Sequence, residues 1–130
     1  MRIRIVCPEH LEYEGEAAFV ALPSTDGELG VLPGHANEIC TLSKGYLHVS
    51  DTAMGTVDHE FAIIGGYAEI TGDEVVVLAA RACDMAAVKA DEVRAEQQEF
   101  EDQLSNLREN DAHRAYLYNE IAWCKLRLRA

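Results

Sequence analysis

The chain has 130 residues, of which 48% are hydrophobic and 26% are charged, as expected for one globular domain or for a domain plus an appendage. Its formal net charge of -12 disfavours nucleic acid and anionic lipid as direct partners, because like charges repel. No apolar run approaches the roughly 18–20 residues that span a bilayer, and the opening MRIRIVCPEH lacks the apolar stretch of a signal peptide, so we expect a cytoplasmic protein without direct membrane insertion.

Residues 2–81 favour short β-strands separated by turns. The candidate strands are RIRIV, AAFVAL, GYLHVS, EFAIIG, YAEIT and EVVVLAA. Thr25-Asp26-Gly27, Pro33-Gly34 and Gly65-Gly66 lie between them and are typical of turns, because glycine adopts the positive φ that many turns need. Many short strands without intervening helices predict an antiparallel sandwich or barrel.

Residues 85–130 favour helices, because they contain no glycine or proline and are rich in Ala, Glu, Gln, Leu and Arg. Asp84 can cap the first turn with its carboxylate. A narrow apolar seam, with Gln97 as its polar member, follows at helical spacing: Ala86, Ala90, Val93, Phe100, Leu104 and Leu107.

A polar break, RENDAH, separates this seam from a second one, and Asn110 or Asp111 can cap the helix that follows. The second seam consists of Leu117, Ile121, Cys124 and Leu128. Two helices of about five turns joined by a short break predict an antiparallel hairpin. Because one seam per helix buries little area, we expect the hairpin to be marginally stable alone and able to move.

Cysteine and histidine spacing favours structural roles over metal binding. Cys7, Cys40, Cys83 and Cys124 lie more than thirty residues apart, without the close pairs typical of zinc sites, so we expect free and mostly buried thiols. The histidines also lack metal spacing and are His10, His35, His48, His59 and His113. We therefore predict no metal site.

The segment GELGVLPGHA, residues 27–36, is the most unusual local sequence. Its glycines fit neither known phosphate-loop pattern, and no lysine lies nearby. His35 has no nucleophile close to it in the sequence, which disfavours catalysis. A tight turn with an exposed rim, on which Glu28 can contact a polar or basic surface, is the remaining interpretation, although Leu29, Val31 and Leu32 could instead pack inward.

This segment also carries a family resemblance. DGELGVLPGHA resembles the G-E-L-G-(I/V)-x-P-G-H-A loop of the epsilon subunit of rotary F-type ATP synthases. FAIIGGYAEITGDEVVVLAARA resembles the strand pair of that family, and the opening IRIVCPE and closing helices follow in the expected order. Asn37-Glu38 departs from the pattern, since the family often has proline and an apolar residue there.

The resemblance implies an α+β fold, with an N-terminal antiparallel β-sandwich at 1–84 and a C-terminal two-helix antiparallel hairpin at 85–130. It implies a non-catalytic subunit at the cytoplasmic face of the cell membrane, coupling the rotor ring of c subunits to the gamma subunit. Partner contacts on the c-ring and gamma side would fall on Glu28, Leu29, Pro33 and His35. The hairpin would extend toward the alpha and beta subunits of the catalytic head and inhibit ATP hydrolysis, with basic residues near the end of the chain meeting the head.

ATP is a further expectation from the resemblance, as a weak regulatory ligand rather than a required cofactor. Some members bind it through (Ile/Leu)-Asp-x-x-Arg-Ala, and this chain has Asp91 and Arg94 in that frame, with Arg127 on the second helix as a further contact. Glu101 and Trp123 stand where basic residues are expected, which weakens phosphate binding. A free nucleotide-sensing sandwich and hairpin module is the alternative function, and an independent hydrolase dependent on His35 is a third.

Overall fold

The computed structural model describes residues 1–129, which form two compact units, Met1–Ala86 and a second unit that begins at Ala87. Ala130, the last residue of the predicted helical domain, lies outside the described residues. Each unit has its own secondary structure, strands in the first and helices in the second.

Strands account for most of the first unit. They are β1 (Arg2–Cys7), β2 (His10–Glu16), β3 (Phe19–Ser24), β4 (Gly27–Val31), β5 (Glu38–Thr41), β6 (Gly45–Ser50), β7 (His59–Ile64), β8 (Tyr67–Ile70), β9 (Glu74–Leu78) and β10 (Arg81–Asp84). A short 3₁₀ turn, Met85–Ala87, follows β10.

The strands form two five-stranded sheets. Sheet 1 has the order β2-β1-β9-β8-β5, and sheet 2 has the order β10-β7-β6-β3-β4. Every neighbouring pair is antiparallel except β1 and β9, which run parallel with Arg2 opposite Glu74. The predicted β-sandwich is confirmed, with this one parallel pair as an addition.

Alternating side chains from both sheets fill the space between them. Residues without solvent exposure include Ile3, Ile5, Val20, Leu22, Val31, Leu47, Val49, Ile63, Val75 and Val77. β-branched residues dominate this set, as expected for side chains packed on a pleated surface. The core is therefore the inner face of each sheet, and the outer faces remain for other roles.

The sandwich has two opposite ends, which we name by a residue at each. At the Thr25 end, the Thr25 N–H donates to Thr41 O at 3.0 Å and the Leu42 N–H donates to Gly66 O at 3.0 Å. At the Pro33 end lie the turn after β4 and the β8–β9 turn, together with the loop of residues 51–58. Strand register decides which loops share an end.

The second unit contains α1 (Ala90–Ser105) and α2 (His113–Leu128). Both are 16 residues long, shorter than the expected five turns. Asp84 is the expected side-chain acceptor of the first turn, since its carboxylate accepts from Ala86 N–H at 2.9 Å. That turn is 3₁₀, however, and α1 begins only at Ala90. The Asp111 carboxylate does accept the His113 N–H at 2.9 Å, at the start of α2.

The helices form the predicted antiparallel hairpin. Arg127, late in α2, contacts Glu96, early in α1, whereas Arg114 at the start of α2 contacts Leu104 at the end of α1. Buried side chains come mainly from α2 and are Val93, Leu117, Ile121, Trp123 and Cys124. Val93 is the only buried residue of α1, so this helix contributes little apolar burial to the fold.

Candidate partner-contact site

The segment GELGVLPGHA begins as an edge strand and ends as a turn. Its first five residues are β4, which pairs antiparallel with β3 at the edge of sheet 2. The expectation of a tight turn is wrong for this half, because pairing with β3 holds the chain extended. Glu28 is exposed, while Leu29 lies opposite Leu22 and packs against the core.

The second half of the segment is a turn from Leu32 to His35. The His35 N–H donates to Leu32 O at 3.1 Å, Pro33 is the second residue of the turn, and Gly34 has φ 85°. This arrangement fits a type II turn, in which proline supplies the fixed φ of the second residue and glycine the positive φ of the third. The His35 ring donates from Nδ1 to Ala36 O at 2.6 Å.

A backbone hydrogen bond ties this turn to sheet 1. The Gly34 N–H donates to Gly72 O at 2.9 Å, in the β8–β9 turn. The same β8–β9 turn is closed by Thr71 N–H to Glu74 O at 2.9 Å and contacts β1 through Arg2 N–H to Asp73 O, also 2.9 Å. Because both sheets contribute to this network, the turn after β4 has a defined position at the Pro33 end.

Glu28 and His35 do not share one rim. Glu28 is the second residue of β4, next to the Thr25-Asp26 turn, whereas His35 lies beyond the other end of that strand. The four residue steps from Glu28 to Leu32 span about 13 Å in extended conformation. The structure therefore places Glu28 near the Thr25 end, and it places Pro33 and His35 at the Pro33 end.

The outer face of sheet 1 exposes apolar side chains that the sequence analysis missed. Strand register aligns Tyr67 with Leu78, Leu78 with Val6, and Val6 with Leu11 across four strands. Leu11 is 51% exposed and Tyr67 44%. Ile39 on the adjacent β5 is 71% exposed and lies opposite Glu69, two residues along β8 from Tyr67. We call these five residues the sheet 1 strip: Val6, Leu11, Ile39, Tyr67 and Leu78. Exposed apolar side chains grouped on one face of a folded domain are typical of a protein-binding site.

The three residues proposed for ATP all take part in ion pairs within the hairpin. The Arg94 guanidinium donates to the Asp91 carboxylate of its own helix at 2.7 Å, and both side chains are exposed. Arg127 instead donates to Glu96 at 3.2 Å and is only 13% exposed. Glu101 accepts from Gln97 at 2.9 Å. Both arginines therefore have carboxylate partners in this conformation.

Histidines and cysteines take part in local contacts. His48 and Glu60 approach to 2.7 Å and His59 and Asp51 to 3.0 Å, each across β6 and β7 or the loop between them. Within residues 1–129, no group of three or more His, Cys, Asp and Glu side chains is arranged to hold a metal ion.

Burial shifts the pKa values of cysteine thiols. Cys7 and Cys124 are buried, and Cys40 and Cys83 are half-buried. Burial, which disfavours the thiolate, raises the pKa of Cys7, Cys40 and Cys124 above the ordinary thiol value, with nearby carboxylates adding to the effect. At neutral pH these thiols are therefore protonated and behave as small apolar groups.

Comparison with known proteins identifies the family. The model of the family described as ATP synthase, Delta/Epsilon chain, beta-sandwich domain matches residues 1–85. ATP synthase epsilon chains are similar over much of the sequence: that of Synechococcus sp. (strain RCC307) is 38% identical over 78% of this chain and 73% of its own length. That of Prochlorococcus marinus (strain AS9601) is 31% identical over 98% of this chain and 95% of its own length.

The chain belongs to the epsilon-chain family of F-type ATP synthases. The family model covers the whole sandwich, including β4 and both sheets. The epsilon-chain relative from Rhodospirillum centenum is 36% identical over 85% of this chain and 73% of its own length.

Solved structures share the epsilon-chain fold. A chain of the Euglena gracilis mitochondrial ATP synthase, from an OSCP/F1/c-ring structure, aligns over 97% of this chain and 73% of its own with a TM-score of 0.62 and 18% identity. A chain of the Tetrahymena thermophila mitochondrial ATP synthase central stalk and c-ring aligns over 99% and 94% with a TM-score of 0.59 and 15% identity. Among residues 1–129 of this epsilon-family chain, no helix has the length and apolar character to cross a membrane.

Proposed function

We propose that this chain is a non-catalytic subunit of the central stalk, which couples rotation of the c-ring to the gamma subunit. The observation that carries the proposal is the sheet 1 strip, an exposed apolar surface on a family member whose structural relatives come from c-ring assemblies. Binding of a partner over such a strip is favourable, because it removes apolar surface from water. The same sandwich offers a second, acidic surface for a different partner.

Gamma is the partner we assign to the sheet 1 strip. Ile39, Tyr67 and Leu11 supply exposed apolar and aromatic area of the kind enriched in the cores of protein interfaces. Charged side chains border these residues on the same outer face: Glu69 lies opposite Ile39, and Arg4 contacts Glu74 at 3.2 Å. An apolar patch bordered by charges resembles the core and rim of a protein interface.

The c-ring is the partner we assign to the Thr25 end. Asp26 and Glu28 are both exposed there, and a rim carboxylate can select a polar or basic loop by charge. His35, at the opposite end, then does not contact the c-ring in this scheme. Leu29 and Pro33 act indirectly in this scheme, Leu29 by anchoring β4 to the core and Pro33 by shaping the turn before His35.

The hairpin is proposed to inhibit ATP hydrolysis by extending toward the alpha and beta subunits of the catalytic head. Its separate compact unit and the small apolar burial of α1 support a movable element. Lys125 and Arg129 supply positive charge for acidic surfaces of the head. The complex would hold the chain at the cytoplasmic face of the cell membrane as a peripheral subunit, with no nucleic-acid partner and no direct membrane insertion.

Binding to gamma tests the proposal. Wild-type chain should form a stable complex with gamma of equal stoichiometry, measured by pull-down and size exclusion. Ile39→Asp, which places a charge in the sheet 1 strip, should weaken the complex at least about tenfold because that charge must be desolvated. Val57→Asp is the matched control, since Val57 is 55% exposed but lies in the loop of residues 51–58. Equal effects of both variants, or no complex with wild type, would refute the assignment.

Removal of the hairpin tests the inhibitory role. A chain ending at Ala86 keeps β10, which pairs with β7, and so preserves both sheets. ATP hydrolysis by the assembled enzyme should rise with this truncated chain while gamma binding is retained. Unchanged hydrolysis would exclude inhibition by the hairpin and leave the coupling role intact.

A further inference from the structure

Two arginines of α2 reach across to α1. Arg114 donates from Nη1 to Leu104 O at 3.3 Å and Leu107 O at 3.4 Å, at the end of α1. Arg127 donates from Nη2 to the carboxylate of Glu96, the seventh residue of α1, at 3.2 Å. The antiparallel helices are therefore linked at two levels, by backbone carbonyls near the connecting turn and by an ion pair farther toward the open end.

Each of these arginines also packs on an aromatic ring of its own helix. The Arg114 guanidinium lies 5.5 Å from the ring centroid of Tyr118, and that of Arg127 lies 5.2 Å from that of Trp123. Such stacking holds the planar guanidinium in one orientation, so less side-chain entropy is lost when it binds the opposite helix.

The Arg127 contact is the more enclosed of the two environments. Trp123 is 5% exposed and Cys124 is fully buried, and Arg127 donates to Trp123 O at 3.4 Å and to Cys124 Sγ at 3.5 Å. Partial exclusion of water strengthens an ion pair relative to one on an open surface, provided that the cation keeps its hydrogen-bond partners. The Arg127 guanidinium therefore has four partners: the Glu96 carboxylate, Trp123 O, Cys124 Sγ and the Trp123 ring.

We propose that the Arg127–Glu96 pair is an ionic clasp that holds the helical hairpin closed, so that ionic strength controls its opening. An added anion must displace Glu96 before it can bind Arg127, which makes the carboxylate an internal competitor for that position. Opening begins at the end where the clasp lies, because the other end is tethered by the connecting turn. This inference concerns the hairpin alone and holds whether or not the hairpin inhibits hydrolysis.

Trp123 provides a direct probe of the clasp, because it is the one tryptophan of the chain and the Arg127 guanidinium lies over its ring. In the full-length wild-type protein, raising the salt concentration from low to high should shift Trp123 emission to the red as the ring becomes hydrated. Glu96→Gln keeps an oxygen acceptor but removes the charge. Its emission should be red-shifted at low salt and nearly independent of salt.

Amide exchange provides the second measurement and the matched control. Glu96→Gln should speed exchange in residues 90–128 by about tenfold, as expected for the loss of one charge-assisted hydrogen bond. Asp91→Asn removes a carboxylate that bonds Arg94 within α1 and should change exchange less than about twofold, as expected for an exposed local pair. Arg127→Lys keeps the charge but not the planar stacking, and its exchange should fall between those of Glu96→Gln and wild type.

Three results would overturn the clasp: equal exchange in Glu96→Gln and Asp91→Asn, a salt response of Trp123 that persists in Glu96→Gln, or wild-type exchange that slows strongly on adding ATP. The last result would show that nucleotide, rather than the ion pair, closes the hairpin. All of these variants change exposed or half-exposed side chains of α1 or keep the charge on α2, so the fold of both units should survive.

Discussion

Glu28 and His35 lie at opposite ends of β4, which separates a carboxylate at the Thr25 end from an imidazole at the Pro33 end. These two residues of one short segment therefore lie on different parts of the surface of the sandwich. A single small loop of a partner cannot contact both side chains. Substitutions of Glu28 and of His35 should therefore affect different binding functions.

Charge reversal at Glu28 tests this separation. Glu28→Lys should weaken binding of the gamma-bound chain to detergent-solubilised c-ring by about tenfold, because a rim charge contributes to partner selection. Binding to gamma itself should be unchanged. His35→Ala serves as the control and should leave c-ring affinity within about twofold, since the His35 imidazole lies at the other end of β4. Equal losses of c-ring binding in both variants would show that the segment acts as one contact.

Gly66 should be the least replaceable glycine of the sandwich. Its φ is 97°, and a Cβ at this position would lie 1.8 Å from Leu78 O, which is backbone and cannot rotate away. Gly66→Ala should lower the free energy of unfolding by about 3 kcal/mol or more, through backbone strain and the steric clash together.

Gly55 is the matched control for Gly66, because its φ is 101° but a Cβ added there would meet no other atom within 4 Å. Gly55→Ala should lower the free energy of unfolding by only about 1 kcal/mol, since it introduces strain without a clash. Urea unfolding of both variants measures the difference. A Gly66→Ala protein as stable as Gly55→Ala would mean that the backbone around Leu78, at the end of β9, moves to accept the methyl group.

Alkaline pH should destabilise the sandwich through its thiols. The pKa of Cys7 and that of Cys40 are raised in the folded state, mainly by burial, so folded protein holds these protons at a pH where unfolded chain has lost them. The free energy of unfolding should therefore be flat below the ordinary thiol pKa of about 8.5 and fall as pH rises above it. Urea unfolding between neutral and alkaline pH measures this slope.

Cys40→Ala should reduce the alkaline loss of stability, because one of the shifted groups is removed. Cys40 is half-buried beside the core, so alanine there leaves a smaller cavity than it would at a fully buried site. A slope that is unchanged in Cys40→Ala would assign the alkaline effect to other groups, such as Tyr13, whose pKa is also raised by burial and by nearby Asp51, Asp58 and Asp84.

ATP should bind the full-length chain weakly. Arg94 and Arg127 already pair with carboxylates, and Glu101 adds negative charge where phosphate would have to lie. Isothermal titration should give a dissociation constant of about a millimolar or weaker, which corresponds to only about 4 kcal/mol of binding. Arg127→Ala should reduce the signal further. Micromolar binding by wild type would instead support the nucleotide-sensing alternative.

Periodicity predicted the central strands of both sheets and missed the four at their edges. β2, β4, β5 and β10 are the edge strands, and none was among the six predicted. Edge strands have one neighbour and carry more polar residues or glycine, as in HLEYEGE and GELGV, which weakens the alternating apolar pattern. Central strands are apolar on their inner face in both sheets and are therefore easier to recognise.

The residues of the candidate site could be predicted from the sequence, but their arrangement in space could not. Glu28, Leu29, Pro33 and His35 could be named from local sequence, but their distribution over two ends depends on the pairing of β4 with β3. Ile39 could not be named as a surface residue, because β5 has only four residues and register alone decides which of them face the core. The Arg127–Glu96 contact is likewise invisible in sequence, since the two residues lie on different helices.

The parallel pairing of β1 with β9 has a consequence for biosynthesis. β1 is made before the other strands of the sandwich, yet its parallel neighbour in sheet 1 follows only after seven other strands have been made. Until then β1 can pair only with β2, and an isolated two-stranded hairpin is at best marginally stable in water. Nascent chains that stop before β9 therefore carry an unfinished sheet, and the sandwich is completed late in translation, once Glu74–Leu78 is available to bridge β1 and β8.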